Sequence, residues 1–450
     1  MSSRFFLLRA PATSARLARI LIHGILIHSV LIHSVLIHVL IHGLCPVYAA
    51  TPAPESPAFP EPLARETLAK GLAWLRANQQ PDGSWSAPNF PGLTALGLWA
   101  AARSKDPAMA EAVAKAADYV ASFAQDDGGI YKPALPGRRG SGGLSTYNTA
   151  ICMMALYQVD PEKYAPIILK AREYVAGSQL VGDSEGEDAA PAARSGAGGF
   201  GYNRPPTAEE RARRAAVAKK MGALAPGGRG GAGGPPQDRA DLSNTGWALM
   251  AMRMTETLED RRPAGEKRAD IDWDAALSFV DSMQNRDTGD ADLDGSFGYE
   301  KGGERDGRAA AGPEGKVALR GFGSMTYDGI ESLIYAKVDR NDPRVRSAAA
   351  WAARHWTVEE NPGFGQRGLF YYYTILSKSI ALYTRGAEFT GADGAPVDWR
   401  GDLVRKLAAT QAPDGSWTND DNTFWENDTA LVTAYSLLSL ESVLEAGTAR

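Results

Sequence analysis

The sequence predicts an all-α chain closed on itself, an α/α toroid in which six helical hairpins supply an inner and an outer ring of helices. Three observations carry this. The stretch Gln79-Gln80-Pro81-Asp82-Gly83-Ser84-Trp85 returns as Gln411-Ala412-Pro413-Asp414-Gly415-Ser416-Trp417. Between the two copies, an amphipathic segment, a Gly-rich turn and a uniformly apolar segment alternate, as stacked helical hairpins require. The terminal copies are the best formed, whereas an open stack needs polar caps at its ends. A ring, with the sixth hairpin packed on the first, needs none.

Each hairpin can be placed. In the first, Leu68, Leu72 and Leu75 share a helix face, Pro81–Trp85 turns the chain, and Leu93–Trp99 begins an apolar helix. The second runs through Ala117–Phe123, Asp127–Tyr131 and Tyr147–Leu156. The third has Ala171–Val175, Gly198–Tyr202 and Ser243–Met250, and the fourth Ala276–Val280, Asp294–Tyr299 and Tyr327–Leu333. The fifth has Ala349–Trp351, Pro362–Gly365 and Tyr372–Leu376, and the sixth Leu403–Leu407, the second full motif and Asn427–Val432. Pro and Gly in the full motif account for the turn. Gln and Trp have no role in turn chemistry, so they are expected to lock one hairpin to the next: Trp by burying its ring, Gln by satisfying free backbone groups at a helix end.

The chain has 450 residues, 44% of them hydrophobic, with a formal net charge of -5. That balance argues against a general nucleic-acid binder. Cys45 and Cys152 are the only cysteines, and Cys45 lies in the leader, which excludes cysteine-rich zinc clusters. Residues 1–50 read as a signal peptide or membrane anchor, with a basic start, an apolar run from Ile20 to Leu44 and a small-residue site at Val47-Tyr48-Ala49. Within the run, His23, His28, His33, His38 and His42 do not keep to one helix face and read as low-complexity expansion rather than a metal site. The leader predicts export, periplasmic or secreted, with membrane association if it is retained. Residues 51–62 read as a Pro-rich linker and 63–445 as the toroid. A flexible Gly/Arg-rich insertion at 181–240 contains the capping box Thr207-Ala208-Glu209-Glu210 and reads either as a flap over one ring mouth or as plain disorder. The run Asp290-Ala291-Asp292-Leu293-Asp294-Gly295 mimics the start of a calcium loop but has Lys301 where the closing Glu belongs.

The Gln-x-Pro-Asp-Gly-Ser-Trp stretches resemble the repeats of terpenoid cyclases of the squalene-hopene type and of protein prenyltransferase β subunits, the prenyltransferase and squalene oxidase repeat. The resemblance implies a six-hairpin toroid with its active cavity at the ring centre. It also implies chemistries whose residues are altered here. The protonating Asp-x-Asp-Asp-Thr-Ala cluster of the cyclases corresponds to Trp425-Glu426-Asn427-Asp428-Thr429-Ala430, with an amide at the position of the acid. The zinc ligands of the prenyltransferases correspond to Asp328, Ile330 and Tyr373, and only the Asp could bind metal. No metal and no cofactor are therefore expected.

One column recurs near the start of the apolar helices: Asn148, Asn244, Asp328, Tyr373 and Asp428. These residue types suit N-capping, and they also suit a polar pocket at the mouth where inner-helix N-termini converge. Asp328, Asp428 and Glu331 are the candidate catalytic carboxylates. Tyr147, Asn148, Asn244, Tyr327, Tyr373 and Trp425 are the candidate substrate contacts. His355, on an outer helix, reads as a packing residue. The sequence thus predicts an exported, repeat-built toroid that binds or converts an isoprenoid or other apolar molecule in its central cavity, by a cyclase-like or transferase-like step if it is an enzyme. The alternatives are a non-catalytic binding or assembly module and a carbohydrate-active enzyme on an α/α barrel.

Overall fold

The structure is a computed structural model that describes residues 58–135, 142–180, 196–206, 209, 239–300, 310–311, 317–391 and 393–447. The leader, most of the linker, most of the 181–240 insertion with its capping box, and Lys301 lie outside the described residues.

The helices alternate between two roles. The outer set is α1 Glu61–Ala77, α3 Ala110–Ala121, α5 Ala165–Ala176, α7 Trp273–Asp281, α9 Pro343–Arg354 and α11 Trp399–Thr410. The inner set is α2 Pro91–Arg103, α4 Ser145–Val159, α6 Leu242–Met254, α8 Gly323–Tyr335, α10 Leu369–Thr384 and α12 Thr429–Ala446. The sequence explains the division. Inner helices are apolar all round and buried all round: every residue from Pro91 to Ala101 is buried, and so is every residue from Ala430 to Val443. Outer helices bury one stripe, such as Ala112, Ala116, Ala117 and Val120 of α3.

Packing closes the ring. α2 packs on α4, α4 on α6, α6 on α8, α8 on α10, α10 on α12, and α12 back on α2. Among outer helices, α1 packs on α11 and also against α12, so the first hairpin closes on the last. The strands β1 Ala310–Ala311 and β2 Val317–Ala318 form a small antiparallel ribbon in the α7–α8 connection.

The repeated turn does the locking predicted for it. Gln79 Nε2 donates to the carbonyl of its own turn at Gly83 (3.1 Å) and to Ala112 on the next outer helix (2.8 Å). Gln411 Nε2 does the same with Gly415 (2.9 Å) and Thr67 (3.0 Å), and Thr67 belongs to α1. The third and fourth repeats reuse the device: Gln179 reaches Asp272 (2.8 Å), and Gln284 reaches Arg344 (2.8 Å). Gly83 and Gly415 are required on two counts. Their φ values are +92 and +97, and an added Cβ would stand 2.5 Å from the Lys115 or Lys70 carbonyl oxygen. Trp85 and Trp417 each donate from Nε1 to the end of their own outer helix, at Leu75 (2.7 Å) and Leu407 (2.8 Å).

A threonine in the inner helices fixes the register of loop and helix. Thr94, Thr149, Thr245, Thr326 and Thr433 accept from the backbone N–H of Trp85, Ile130, Phe200, Phe297 and Trp417, at 2.8–3.2 Å. Against these threonines, Asn148 and Asn244 are equivalent to each other. Asp328 lies two residues beyond its threonine and Asp428 five before, so the polar column is not one level of the ring.

The acidic turn at Asp290–Gly295 is braced by α9. Trp351 Nε1 donates to the Asp292 carbonyl (2.6 Å), and Arg354 donates to the Ala291 (3.1 Å) and Asp294 (3.2 Å) carbonyls. Among the described residues, no group of three or more His, Cys, Asp or Glu side chains is placed to hold a metal ion, and no helix is long and apolar enough to cross a membrane. His355 stacks on Trp351 (4.2 Å between ring centroids), a packing role.

Candidate functional site

The helix α10 reads Leu-Phe-Tyr-Tyr-Tyr-Thr-Ile-Leu-Ser-Lys-Ser-Ile-Ala-Leu-Tyr-Thr and holds one charged residue, Lys378. An ammonium on an inner helix must find partners inside the ring. Lys378 Nζ lies 3.4 Å from Glu331 Oε1 on α8 and 3.8 Å from the Met250 sulfur on α6. It faces the Trp247 ring at 4.6 Å from the centroid and the Trp99 ring at 5.9 Å. Residues of α2, α6, α8 and α10 thus meet at one amine.

Asp328 stands one turn before Glu331 on α8. Tyr371 OH donates to its Oδ2 (3.1 Å), and its Oδ1 packs against the backbone of α6 where Gly246 leaves room. Asp328 and Glu331 are each 1% exposed. Burial raises the Asp328 carboxyl well above its ordinary range, and the neighbouring Glu331 adds to this. Burial also raises Glu331, while Lys378 pulls it back. The Lys378 amine is lowered by burial, against the attraction of both carboxylates. Asp328, Glu331 and Lys378 thus form one buried group in which the protonation of each depends on the other two.

Above this group, at the end of the ring where the inner helices finish, lies a cavity of about 490 Å³. Trp99, Met250, Met254, Tyr335 and Leu382 give it apolar walls, and Lys378 lies at its base. Arg103, Arg253, Arg385 and Glu445 stand around it. Arg103 is engaged by Glu445 (2.9 Å from Nε), and Arg253 by Glu256 (2.8 Å) and by the Trp273 ring beneath it. The volume falls in the range of about 300–1,000 Å³ usual for small-molecule sites.

The sequence-predicted residues scatter. The polar column pointed to the opposite mouth, where inner helices begin, and there most side chains are committed to backbone. Asn148 Oδ1 accepts from Gly92 N–H (2.8 Å), while its Nδ2 donates to Gly143 (2.9 Å) and Leu144 (3.0 Å). Asn244 Nδ2 donates to Asp241 Oδ2 (2.7 Å). Tyr373 OH donates to the Val358 carbonyl (2.6 Å). Asp428 caps α12 through Ala430 N–H (2.9 Å) and accepts from Ser86 Oγ, so it is not joined to Asp328 and Glu331. Tyr327 is buried beside Tyr372 (5.9 Å between centroids), and Trp425 is 42% exposed against Phe90 (4.8 Å). Tyr147 lies beside Tyr202 (6.2 Å). Glu426 does not face a cavity: it accepts from Tyr371 N–H (2.8 Å) and Asn419 Nδ2 (2.7 Å), capping the helix that carries Lys378.

Of the nine candidates, the structure brings together Asp328 and Glu331. Lys378, Trp99, Trp247 and Tyr371 were not singled out from sequence. A lone lysine within an otherwise uncharged inner helix is the signal that finds the site.

No protein-family model matches the chain, and no curated protein matches it. Among solved structures it is similar to a protein from Actinoplanes, at 15% identity and a TM-score of 0.48, over 85% of this chain and 99% of that one. It is similar also to the type II terpene cyclase MstE from Scytonema without ligand, at 12% identity and a TM-score of 0.48, over 87% of this chain and 99% of that one. A variant of MstE bound to geranylgeranyl dihydroxybenzoate matches at 11% identity and a TM-score of 0.47, over 86% and 99%. What the chain is rests on its own residues: an α/α toroid with a charged and aromatic group on its axis beneath an apolar cavity.

Proposed function

We propose that this protein is a terpenoid-cyclase-like toroid, exported by its N-terminal segment, that binds an isoprenoid or similar apolar molecule at the mouth where its inner helices end. The observation that carries the reading is the 490 Å³ cavity walled by Trp99, Met250, Met254, Tyr335 and Leu382, with Lys378 at its base. Apolar walls supply the affinity, and a few polar groups fix orientation. The level below the cavity is filled by Asp328, Trp247, Tyr371 and Tyr435, with Trp247–Tyr371 and Tyr371–Tyr435 centroids at 6.4 and 5.9 Å. A molecule seated here therefore rests on the lysine rather than passing through the ring. Asp328 and Glu331 act on it through that lysine, and Asp428 serves α12 as its cap.

The test uses tryptophan fluorescence, to which Trp99 in the cavity wall and Trp247 beside Lys378 contribute. Farnesol added to the purified toroid is expected to change tryptophan fluorescence saturably. Ala381→Trp, which fills the cavity from α10, is expected to abolish that response while leaving thermal unfolding in place. A response that survives in Ala381→Trp would put the ligand elsewhere, and no response in the parent protein would remove the reading.

A further inference from the structure

The lysine at the base of the cavity has the surroundings of a nucleophile. Its side chain is 9% exposed, and it is among the groups that line the cavity. The carboxylate in contact with it, Glu331, uses Oε1 towards it, and Glu331 Oε2 is buried with no hydrogen-bond partner among the described residues. Two indole faces stand over the nitrogen, at 4.6 and 5.9 Å from their centroids.

We propose that Lys378 forms a reversible imine with an apolar aldehyde or ketone held in this cavity. The inference rests on the reading of the cavity as an apolar ligand site and names the functional group the ligand carries. The steps balance. Glu331 takes a proton from the ammonium, leaving a neutral amine and a neutral acid. The nitrogen lone pair attacks the carbonyl carbon, and the nitrogen proton passes to the oxygen, giving a carbinolamine. Glu331 returns its proton to that hydroxyl, the C–O bond breaks, and water leaves. The product is a protonated imine beside the Glu331 carboxylate. Hydrolysis runs the same steps backwards and needs no other reagent.

Each feature of the site serves one of these steps. Desolvation disfavours the charged ammonium, the form that exposed lysines keep at neutral pH. A carboxyl within reach exchanges the proton. The cationic product keeps the same two ring faces and the same counter-charge that the ammonium had.

The experiment is reductive trapping. The protein is treated at neutral pH with farnesal and cyanoborohydride, with butanal as a short probe that does not depend on filling the cavity, and the adduct is mapped by peptide mass spectrometry. The Lys378 peptide is expected to gain one reduced adduct per chain ahead of surface lysines such as Lys115. That adduct is lost in Lys378→Met and in Lys378→Arg, the second of which keeps the charge opposite Glu331. Labelling spread over surface lysines, or unchanged in both variants, overturns the proposal. Farnesol binding without trapping of either aldehyde overturns the imine and leaves the cavity reading intact. Trapping of butanal at Lys378 without farnesol binding keeps the imine and overturns the apolar-ligand reading.

Discussion

Asp241 begins α6 as its N-cap, accepting from Asn244 N–H (2.8 Å) and from Asn244 Nδ2 (2.7 Å). Burial nevertheless raises its carboxyl from 3.8 to about 7. The folded state therefore holds this proton more tightly than the unfolded chain does. Its contribution to stability is full below about pH 4 and is lost as the pH rises through about 7. A difference of about three in pKa corresponds to on the order of 4 kcal/mol. Asp241→Asn keeps the shape of the neutral acid, so its denaturation midpoints are expected to fall less between pH 5 and pH 8 than those of the parent. Parallel curves for the two proteins would show that Asp241 is not the group responsible. Arg172 presents the opposite case, a buried charge fully paired. It donates to Glu259 (2.7 Å), Met252 O (2.7 Å), Thr255 Oγ1 (2.8 Å) and Ala269 O (3.0 Å). Burial alone would raise Glu259, but hydrogen bonds from Arg262 and Arg172 bring it down to about 2. Arg172→Ala leaves that carboxylate buried and short of a partner, and is expected to cost about 3–5 kcal/mol in urea titration. Arg172→Lys is expected to recover little of this, because an ammonium cannot reach four acceptors spread around a planar fork.

At the scale of helices, the two full copies of the motif are alike in hydrogen bonding and differ in position. Trp85 packs on Gly97 of its own hairpin, whereas Trp417 packs on Gly71 of α1, where an added Cβ would stand 2.7 Å from its ring. Trp417 is 0% exposed and Trp85 is 7%. Both Trp→Ala changes are expected to cost about 3–5 kcal/mol by calorimetry or denaturant titration. Trp417→Ala is expected to be the worse, since it also loosens the seam between the last hairpin and the first. A loss below about 1 kcal/mol in either would remove the motif from its role as a lock. The lock was legible in sequence because it is local: a turn, a ring and an amide recur at fixed offsets in one continuous stretch. The inner and outer rings were legible for a similar reason, since the extent of each apolar face is written along a single helix. The site was legible only in part. Asp328, from the polar column, and its neighbour Glu331 were among the candidate carboxylates, but their partners Lys378, Trp99 and Trp247 come from three other helices, and sequence gives no distance between helices. The register was misread for the same reason. Asp428 sits beside a threonine as Asn148 and Asn244 do, yet Thr429 is not the threonine that meets the loop backbone; Thr433 is.

At the scale of the whole molecule, closure means that no hairpin is first or last in packing, only in sequence. The two ends of the described toroid meet at one side chain: Arg400 lies over the Phe59 ring, 3.7 Å from its centroid, and also packs against Gly447. Gln411 then joins the sixth hairpin to α1 by the contact that Gln79 makes between the first and second, and Trp417 adds its packing on Gly71. If noncovalent contacts alone carry the ring, where the chain is cut should matter little and the loss of a hairpin should matter greatly. A circular permutant of residues 58–447, with a short Gly/Ser linker joining 447 to 58 and new ends in the turn after α2 at Lys105, is expected to unfold cooperatively with a midpoint within a few degrees of the parent. That turn is a good place to open, because it is exposed and Lys105 already strains the backbone at φ +54. Deleting 58–105 exposes the faces of α4 and α12 that α2 covers, and is expected to abolish cooperative unfolding and to cause association. Calorimetry and sedimentation on the two proteins decide the matter. A permutant that fails to fold, or a five-hairpin chain that stays monomeric and unfolds cooperatively, would show that the seam between α12 and α2 is not equivalent to the other five.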